Sequence, residues 1–425
     1  MRKALSLFTS LIFGLILNCI ICSASLAAKP QYQQYVKPDL AVVFVEKTWP
    51  SQTIKIIEYS TLGGSPIESV VTRIPNFEDV KKLDMTINSV NDIDIVYLQG
   101  PAGTNQSQTL YHIFIPRNNL GAMVGPNILS PPAMVDFDLD IDVQTGETYL
   151  AATEENTPHL DIAFGRKSAG QSVFTFTNPY TVVGGNMGGG VEIAHNSTTN
   201  TFHISYNPLQ FFGTPASLQE LILDQSGNLL MVQNIDNGTV FGNHFPSPFS
   251  GQAYSLRPSI AAWNSGGFTN GIYVGRHNNF ANPLQGWNTP VLVSLAGNAC
   301  DLQTIPVDSP PVFAALSVLE GGFSFIPNTR ILFYWSTDFI NWSSDLVAIQ
   351  PGGWATGYYS GLDMPKETGA NVPFAMVTNF YNITNGTANI QVHTGTVGAW
   401  QSQLLKTISY SSGTMLTLIR AEWLK

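Results

Sequence analysis

Short runs of β-branched and aromatic residues, bounded by Gly, Pro, Asn and Asp, recur along this chain. No segment longer than one or two turns carries the 3.6-residue spacing of an amphipathic helix. The runs come in pairs. Leu40 to Val45 precedes Thr53 to Tyr59, Asp92 to Tyr97 precedes Leu110 to Ile115, and Asp138 to Asp142 precedes Thr148 to Ala152. Gly190 to Ala194 precedes Thr201 to Tyr206, and Pro258 to Trp263 precedes Gly271 to Gly275. Val312 to Leu316 precedes Arg330 to Trp335, and Phe374 to Val377 precedes Ala388 to Val392. Spacings of roughly 45 to 70 residues between pairs mark repeated supersecondary units. An all-β fold follows, and a β-propeller with six or seven four-stranded blades is its economical form, because each blade buries its faces against its neighbours. Six blades result if the first unit completes the last blade. A series of unrelated β-sandwiches is the competing arrangement.

One strand has a sharper pattern. Asp136, Asp138, Asp140 and Asp142 alternate with Phe137, Leu139, Ile141 and Val143. Alternate side chains of a strand share a face, so four carboxylates line one side and four apolar groups the other. The acidic face must meet water, basic partners or a cation. Ca2+ is the cation such a ladder would hold, although Val143 stands where a calcium loop needs glycine.

The start of the chain changes the compartment. Arg2 and Lys3, an apolar run from Leu5 to Cys22 and the small residues around Ala27-Ala28 form a secretory signal peptide, residues 1–28. Residues 29–425 then form a single exported propeller domain, secreted or periplasmic, with no membrane span after cleavage. Cys19 and Cys22 leave with the leader, so Cys300 has no internal disulfide partner and reads as a structural thiol. The chain has 19 Lys and Arg against 29 Asp and Glu, net −10 at pH 7, which argues against nucleic acid. Charged residues are only 11% of it, so the surface is coated with neutral amides and hydroxyls, a coat that suits exported β-proteins and sugar ligands alike.

Candidate chemistry begins at Tyr334-Trp-Ser-Thr-Asp-Phe-Ile-Asn-Trp342. Ser336, Asp338, Asn341 and Trp342 resemble the Ser-x-Asp-x-x-Asn-Trp turn of propeller glycosidases acting on arabinan and xylan, and a related Asp-box marks sialidase-like propellers. In both families the turn is structural. Arg73-Ile74-Pro75 is similar to the Arg-Ile-Pro sequence of sialidases, whose arginine grips a substrate carboxylate. That resemblance implies substrate-binding roles for Arg73, Arg257 and Arg276, and sets Tyr359 at the place of the nucleophilic tyrosine. The glycosidase resemblance instead implies Glu192 as general acid and Asp136 or Asp138 as assisting carboxylate.

Seven of the eight Trp lie after residue 260, and Trp354, in a Gly-rich loop with two tyrosines, is the ring placed to stack on a sugar. The scattered His show no metal-ligand spacing. The sequence thus points to an exported propeller that binds a glycan or cell-surface ligand, with catalysis assigned to Asp138 and Glu192 if it is a glycoside hydrolase. A non-catalytic scaffold for protein or cell-surface contacts is the alternative.

Overall fold

The structure, a computed structural model, describes residues 38–424 except 104–107, 130–132, 143, 157–158, 184–188, 208–217, 237–253, 265–270, 296, 306–310, 312, 321–327, 352–360, 366–372, 383–385 and 410–412. The leader at 1–28 lies outside the described residues.

The chain folds as a seven-bladed β-propeller of four-stranded antiparallel sheets. Blade 1 opens with β1 (Leu40–Thr48), β2 (Ser51–Tyr59) and β3 (Ile67–Ile74). Blade 2 is β4 (Glu78–Ile87), β5 (Ile93–Pro101), β6 (Thr109–Ile115) and β7 (Val124–Ile128); blade 3 is β8 (Met134–Ile141), β9 (Thr148–Asn156), β10 (His159–Lys167) and β11 (Thr175–Val183). Blade 4 holds β12 (Gly189–Asn196), β13 (Thr201–Asn207), β14 (Gln219–Leu223) and β15 (Leu229–Asn234), and blade 5 holds β16 (Tyr254–Arg257), β17 (Ile260–Asn264), β18 (Ile272–Arg276) and β19 (Val291–Ser294). Blade 6 runs through β20 (Gly297–Ile305), β21 (Phe313–Glu320), β22 (Asn328–Ser336) and β23 (Ser343–Pro351). Blade 7 runs through β24 (Gly361–Asp363), β25 (Phe374–Asn382), β26 (Thr387–Thr396) and β27 (Ala399–Ser409). The last strand, β28 (Thr414–Trp423), returns to blade 1 and pairs with β1 from Leu40↔Trp423 to Thr48↔Thr414. Each repeat unit of the sequence falls within one blade. The six-blade closure does not occur, because the joint is made from the other end: the final strand completes the first blade.

Strands in the middle of each blade read as continuous apolar runs because both faces are covered. In β1, Ala41, Val43 and Val45 pack with Leu83, Ile95 and Ile113 of blade 2, while Leu40, Val42 and Phe44 pack with Val377, Ile390 and Val392 of blade 7. The remaining blade contacts have apolar clusters of the same kind. Burying each such aliphatic side chain stabilises the fold by about 1.5–3 kcal/mol.

The innermost strands meet differently. Val191, Ile193 and His195 of β12 donate their backbone N–H groups to Asp136, Asp138 and Asp140 of β8 at 2.7, 2.8 and 2.6 Å. The acidic ladder therefore faces the next blade, not channel water. The same device recurs around the axis. Asp84 accepts from Leu139 N at 3.1 Å, Ser255 Oγ from Leu302 N at 3.1 Å, Asp301 from Met364 N at 2.6 Å and Asp363 from Ala421 N at 2.6 Å. No helix among the described residues is long and apolar enough to cross a membrane.

Asp138→Ala strands the Ile193 N–H in a buried site and should lower unfolding stability by about 1–3 kcal/mol. Asp138→Asn, whose amide oxygen can still accept, should lose clearly less. Equal losses in urea denaturation would show that this bond does not hold the blades.

Candidate functional site

Three places carry the residues singled out by the sequence. The first is the axis. Asp138 and Glu192 do converge there, in a small cavity they line with Ser255, Arg257, Asp301 and Asp363. The cavity is about 10 Å3, room for about one water molecule and not for a sugar ring. It is small because the charges fill it. Lys82 Nζ lies 2.8 Å from Asp136 Oδ1, Arg257 NH1 lies 3.8 Å from Asp140 Oδ1, and Arg420 Nε lies 3.4 Å from Asp84 Oδ1. Arg257 also donates to Leu302 O at 3.0 Å and to Gln303 Oε1 at 2.7 Å. Burial works against both charge signs here. It pushes the carboxyls of Asp301 and Asp363 up, Asp363 well above the usual range, and the nearby guanidiniums pull back incompletely. Arg420, facing Asp363 and Asp84, keeps its proton more firmly than a free arginine despite its burial. Burial likewise pushes the Cys300 thiol well up, with Asp301 and Glu192 adding to it, so this sulfur is not an activated nucleophile.

The second place is blade 5. Arg276 ends β18 with its guanidinium 5.7 Å from the Phe280 ring, on the same blade as Arg257 but outside the axial cavity. Arg73 is on the outermost strand of blade 1. The three arginines thus share no single cavity. Trp354 and Tyr359 lie outside the described residues. The Ser336–Trp342 turn has the structural role the resemblance implies. Asp338 accepts from Ile340 N at 2.9 Å and Asn341 N at 2.8 Å, Ser336 Oγ accepts from Phe339 N at 2.8 Å, and Trp342 packs on the core between blades 5 and 6. The Asn341 side chain and these N–H groups hold the Asp338 carboxyl well below its ordinary value.

The third place is a cleft of about 440 Å3 at one end of blade 1, lined by Glu46, Ser51, Gln52, Thr53, Lys55, Val70, Arg73, Ile74 and Asn76. Beside it stand two aromatic rings that no sequence motif marks. Trp49, in the β1–β2 turn, is 59% exposed, and Phe77, between β3 and β4, is 64% exposed. Their rings meet edge to face with centroids 6.0 Å apart. Phe77 N donates to Pro50 O at 3.2 Å, which ties the two turns together. Phe77 holds this pose at φ 69°, a left-handed backbone that a bulky residue rarely adopts. Such strain collects where a side chain must be presented in one direction. Among the described residues, the exposed Arg73 forms no ion pair, whereas Lys55 in the same cleft is bonded to Glu46 and Glu68 at 2.7 and 2.8 Å. Trp49 stands alone in the N-terminal half of the chain, away from the Trp-rich half. Its exposure has no signature in the sequence beyond its place before Pro50 in a turn.

One group of metal-ligating side chains comes together among the described residues: His203, Glu220 and His277, buried between blades 4 and 5.

No protein-family model matches the chain, and no curated protein matches it. Solved structures match at the level of fold. A Mycobacterium tuberculosis puromycin-hydrolysing peptidase aligns at 9% identity and TM-score 0.46 over 85% of this chain and 53% of its own, so the chain spans about half the length of that protein. A Fusarium graminearum GH93 α-L-arabinofuranosidase, solved with arabinobiose, aligns at 10% identity and TM-score 0.40 over 79% of this chain and 85% of its own. The Dos1 propeller aligns at 8% identity and TM-score 0.41 over 87% of this chain and 95% of its own.

The axial carboxyls give a pH test. The folded-state pKa of Asp363 is raised above its unfolded value of about 3.9. Its contribution to stability is complete below that value and drains away as pH rises through the folded pKa. Asparagine cannot lose the proton and can still accept from Ala421 N. Asp363→Asn should therefore melt higher than wild type at pH 7, with the gain closing as pH falls towards about 4. A variant that melts lower than wild type at pH 7 would mean that Asp363 is ionised and paired with Arg420.

Proposed function

We propose that this chain is an exported, glycan-binding propeller whose ligand site is the blade 1 cleft, with Trp49 and Phe77 as the stacking platform and Arg73 as the group that meets an acidic sugar. The observation that carries this reading is the exposed Trp49–Phe77 pair beside a polar cleft. A sugar presents C–H groups on its faces and hydroxyls at its edges, so it needs a flat ring next to hydrogen-bonding groups. The cleft volume is within the range of about 300–1,000 Å3 typical of small-ligand sites. Thr53, Arg73 and Asn76 make no side-chain hydrogen bonds among the described residues, which leaves their polar atoms available to a ligand. Arg73 has the planar fork that grips a carboxylate at two points. The leader read at residues 1–28 places such a protein outside the cytoplasm, where glycans are met.

Hydrolysis is the second reading, and it rests on Asp138 and Glu192 sharing the axial cavity. As described, that cavity admits water and no sugar, and Asp138 already holds the neighbouring strand. Binding without cleavage is accordingly the form of the proposal.

On a glycan array, the full chain should retain carboxylate-bearing glycans in preference to their neutral counterparts. Trp49→Ala should weaken binding at least tenfold, about 1.4 kcal/mol. Arg73→Ala should erase the preference for acidic glycans, and Glu192→Gln should leave binding unchanged. If no glycan is retained, the scaffold reading takes over. Cleavage of an aryl arabinoside or xyloside that disappears in Glu192→Gln would replace the proposal with the hydrolase.

A further inference from the structure

Two buried carboxylates sit in comparable places between blades, and they differ in what faces them. Asp94 of β5 lies between blades 2 and 3. It is 2.8 Å from His112 Nε2, accepts from Thr148 Oγ1 at 2.7 Å, and has Lys167 Nζ at 3.0 Å. Lys167 is wholly buried, with its Nζ turned to this carboxylate.

Glu220 of β14 lies between blades 4 and 5 and is 0% exposed. His203 Nδ1 is 2.7 Å from Oε1, and His277 Nε2 is 3.0 Å from Oε2. Trp287 Nε1 and Gln233 Nε2 donate to Oε2 at 2.8 and 2.5 Å. Among the described residues no lysine or arginine pairs with it. Where Asp94 has Lys167, Glu220 has a second imidazole. A buried anion of this kind is stabilised by a cation or by a metal.

The geometry points to a structural site for a zinc-type divalent cation, bound by His203 Nδ1, Glu220 and His277 Nε2. The three ligand atoms lie within 4.8 Å of one another. Zinc bonds of about 2.0–2.2 Å with tetrahedral angles need ligand separations of about 3.3 Å. The two measured N···O separations are a few tenths of an ångström shorter, so seating the ion requires small rotations of the imidazoles. The surroundings suit the task. His203 Nε2 is 3.1 Å from Thr201 Oγ1, which fixes the ring with Nδ1 towards the carboxylate. Trp287 and Gln233 hold the Glu220 carboxylate at Oε2, the oxygen that His277 also faces, and leave Oε1 to His203. His277 Nδ1 is buried and makes no hydrogen bond, so the orienting contacts are on the His203 side. Two imidazoles and one carboxylate, with a water as fourth ligand, favour zinc over hard cations such as Ca2+. The complete burial of the ligands makes the ion a clamp between blades 4 and 5, not a catalyst.

The test uses the full chain, stripped with a chelator and titrated with Zn2+ alone. Wild type should take up one equivalent, and its melting temperature should rise with free Zn2+ concentration. Co2+ in place of Zn2+ should give the visible absorption of a four-coordinate centre. Glu220→Gln should lose both responses. If that variant does not fold, Thr201→Val serves instead, because it leaves all three ligands in place; it should weaken Zn2+ about 10–100-fold. Wild type that binds no Zn2+, or binds it no more tightly than either variant does, would overturn the proposal and leave a hydrogen-bonded His–Glu–His seam.

Discussion

Everything in this propeller depends on how its innermost strands satisfy their backbone on the axis. Each inner strand has one neighbour within its own blade and a free edge towards the next blade. A free edge is a row of N–H groups that must find acceptors once water is excluded. The inner strands of neighbouring blades belong to separate sheets and form no continuous ladder with one another. Side chains therefore bridge the gap, with carboxylates from one blade accepting N–H groups of the next. Aspartate suits this role because it is short, accepts strongly and has no hydrogen of its own to place.

That solution has a consequence for function. Carboxylates packed around an axis repel one another, so the fold brings Lys82, Arg257 and Arg420 inward and leaves some carboxyls, Asp363 foremost, favouring the protonated state. The result is a salted plug with about one water's worth of space. A plugged axis leaves the blade ends as accessible surface, where turns carry exposed rings such as Trp49 and Phe77 without weakening the ring.

Much of the fold was legible in the sequence, because a central strand of a blade is apolar on both faces and its runs are hard to miss. The seven units, the structural Ser336–Trp342 turn and the inertness of Cys300 all follow from local chemistry. The alternation of Asp136, Asp138, Asp140 and Asp142 was equally plain, but its partners were not. Backbone N–H groups of Val191, Ile193 and His195 have no residue-type signature, so the sequence offers the ladder water, a cation or basic partners; Lys82 and Arg257 are the basic partners, and the neighbouring backbone is the partner it does not announce. His203, Glu220 and His277 were illegible for a related reason. His203 and Glu220 are diagonal neighbours across the β13–β14 pairing of blade 4, and His277 reaches them from blade 5, so neither approach is marked by spacing in the chain. Isolation in sequence says nothing about the exposure of Trp49, and the later Trp that the structure describes are buried or half-buried.

Blade 1 joins these threads. It is the blade assembled from both ends of the chain, with β28 pairing against β1. At the same seam Lys406 of blade 7 reaches across to Glu46 and Glu68 at 2.8 and 2.6 Å, and Lys55 meets the same two carboxylates from blade 1. These four charges share one another, which holds both glutamates below the usual carboxylate range although burial alone would raise them. Glu46 and Lys55 also line the cleft beside Trp49. The walls of the cleft all come from blade 1, between Glu46 and Asn76, so the charges that close the seam also shape the cleft. Glu46 and Lys55 thus belong at once to the ion-pair cluster that joins blades 1 and 7 and to the cleft lining, so a change to either residue alters both.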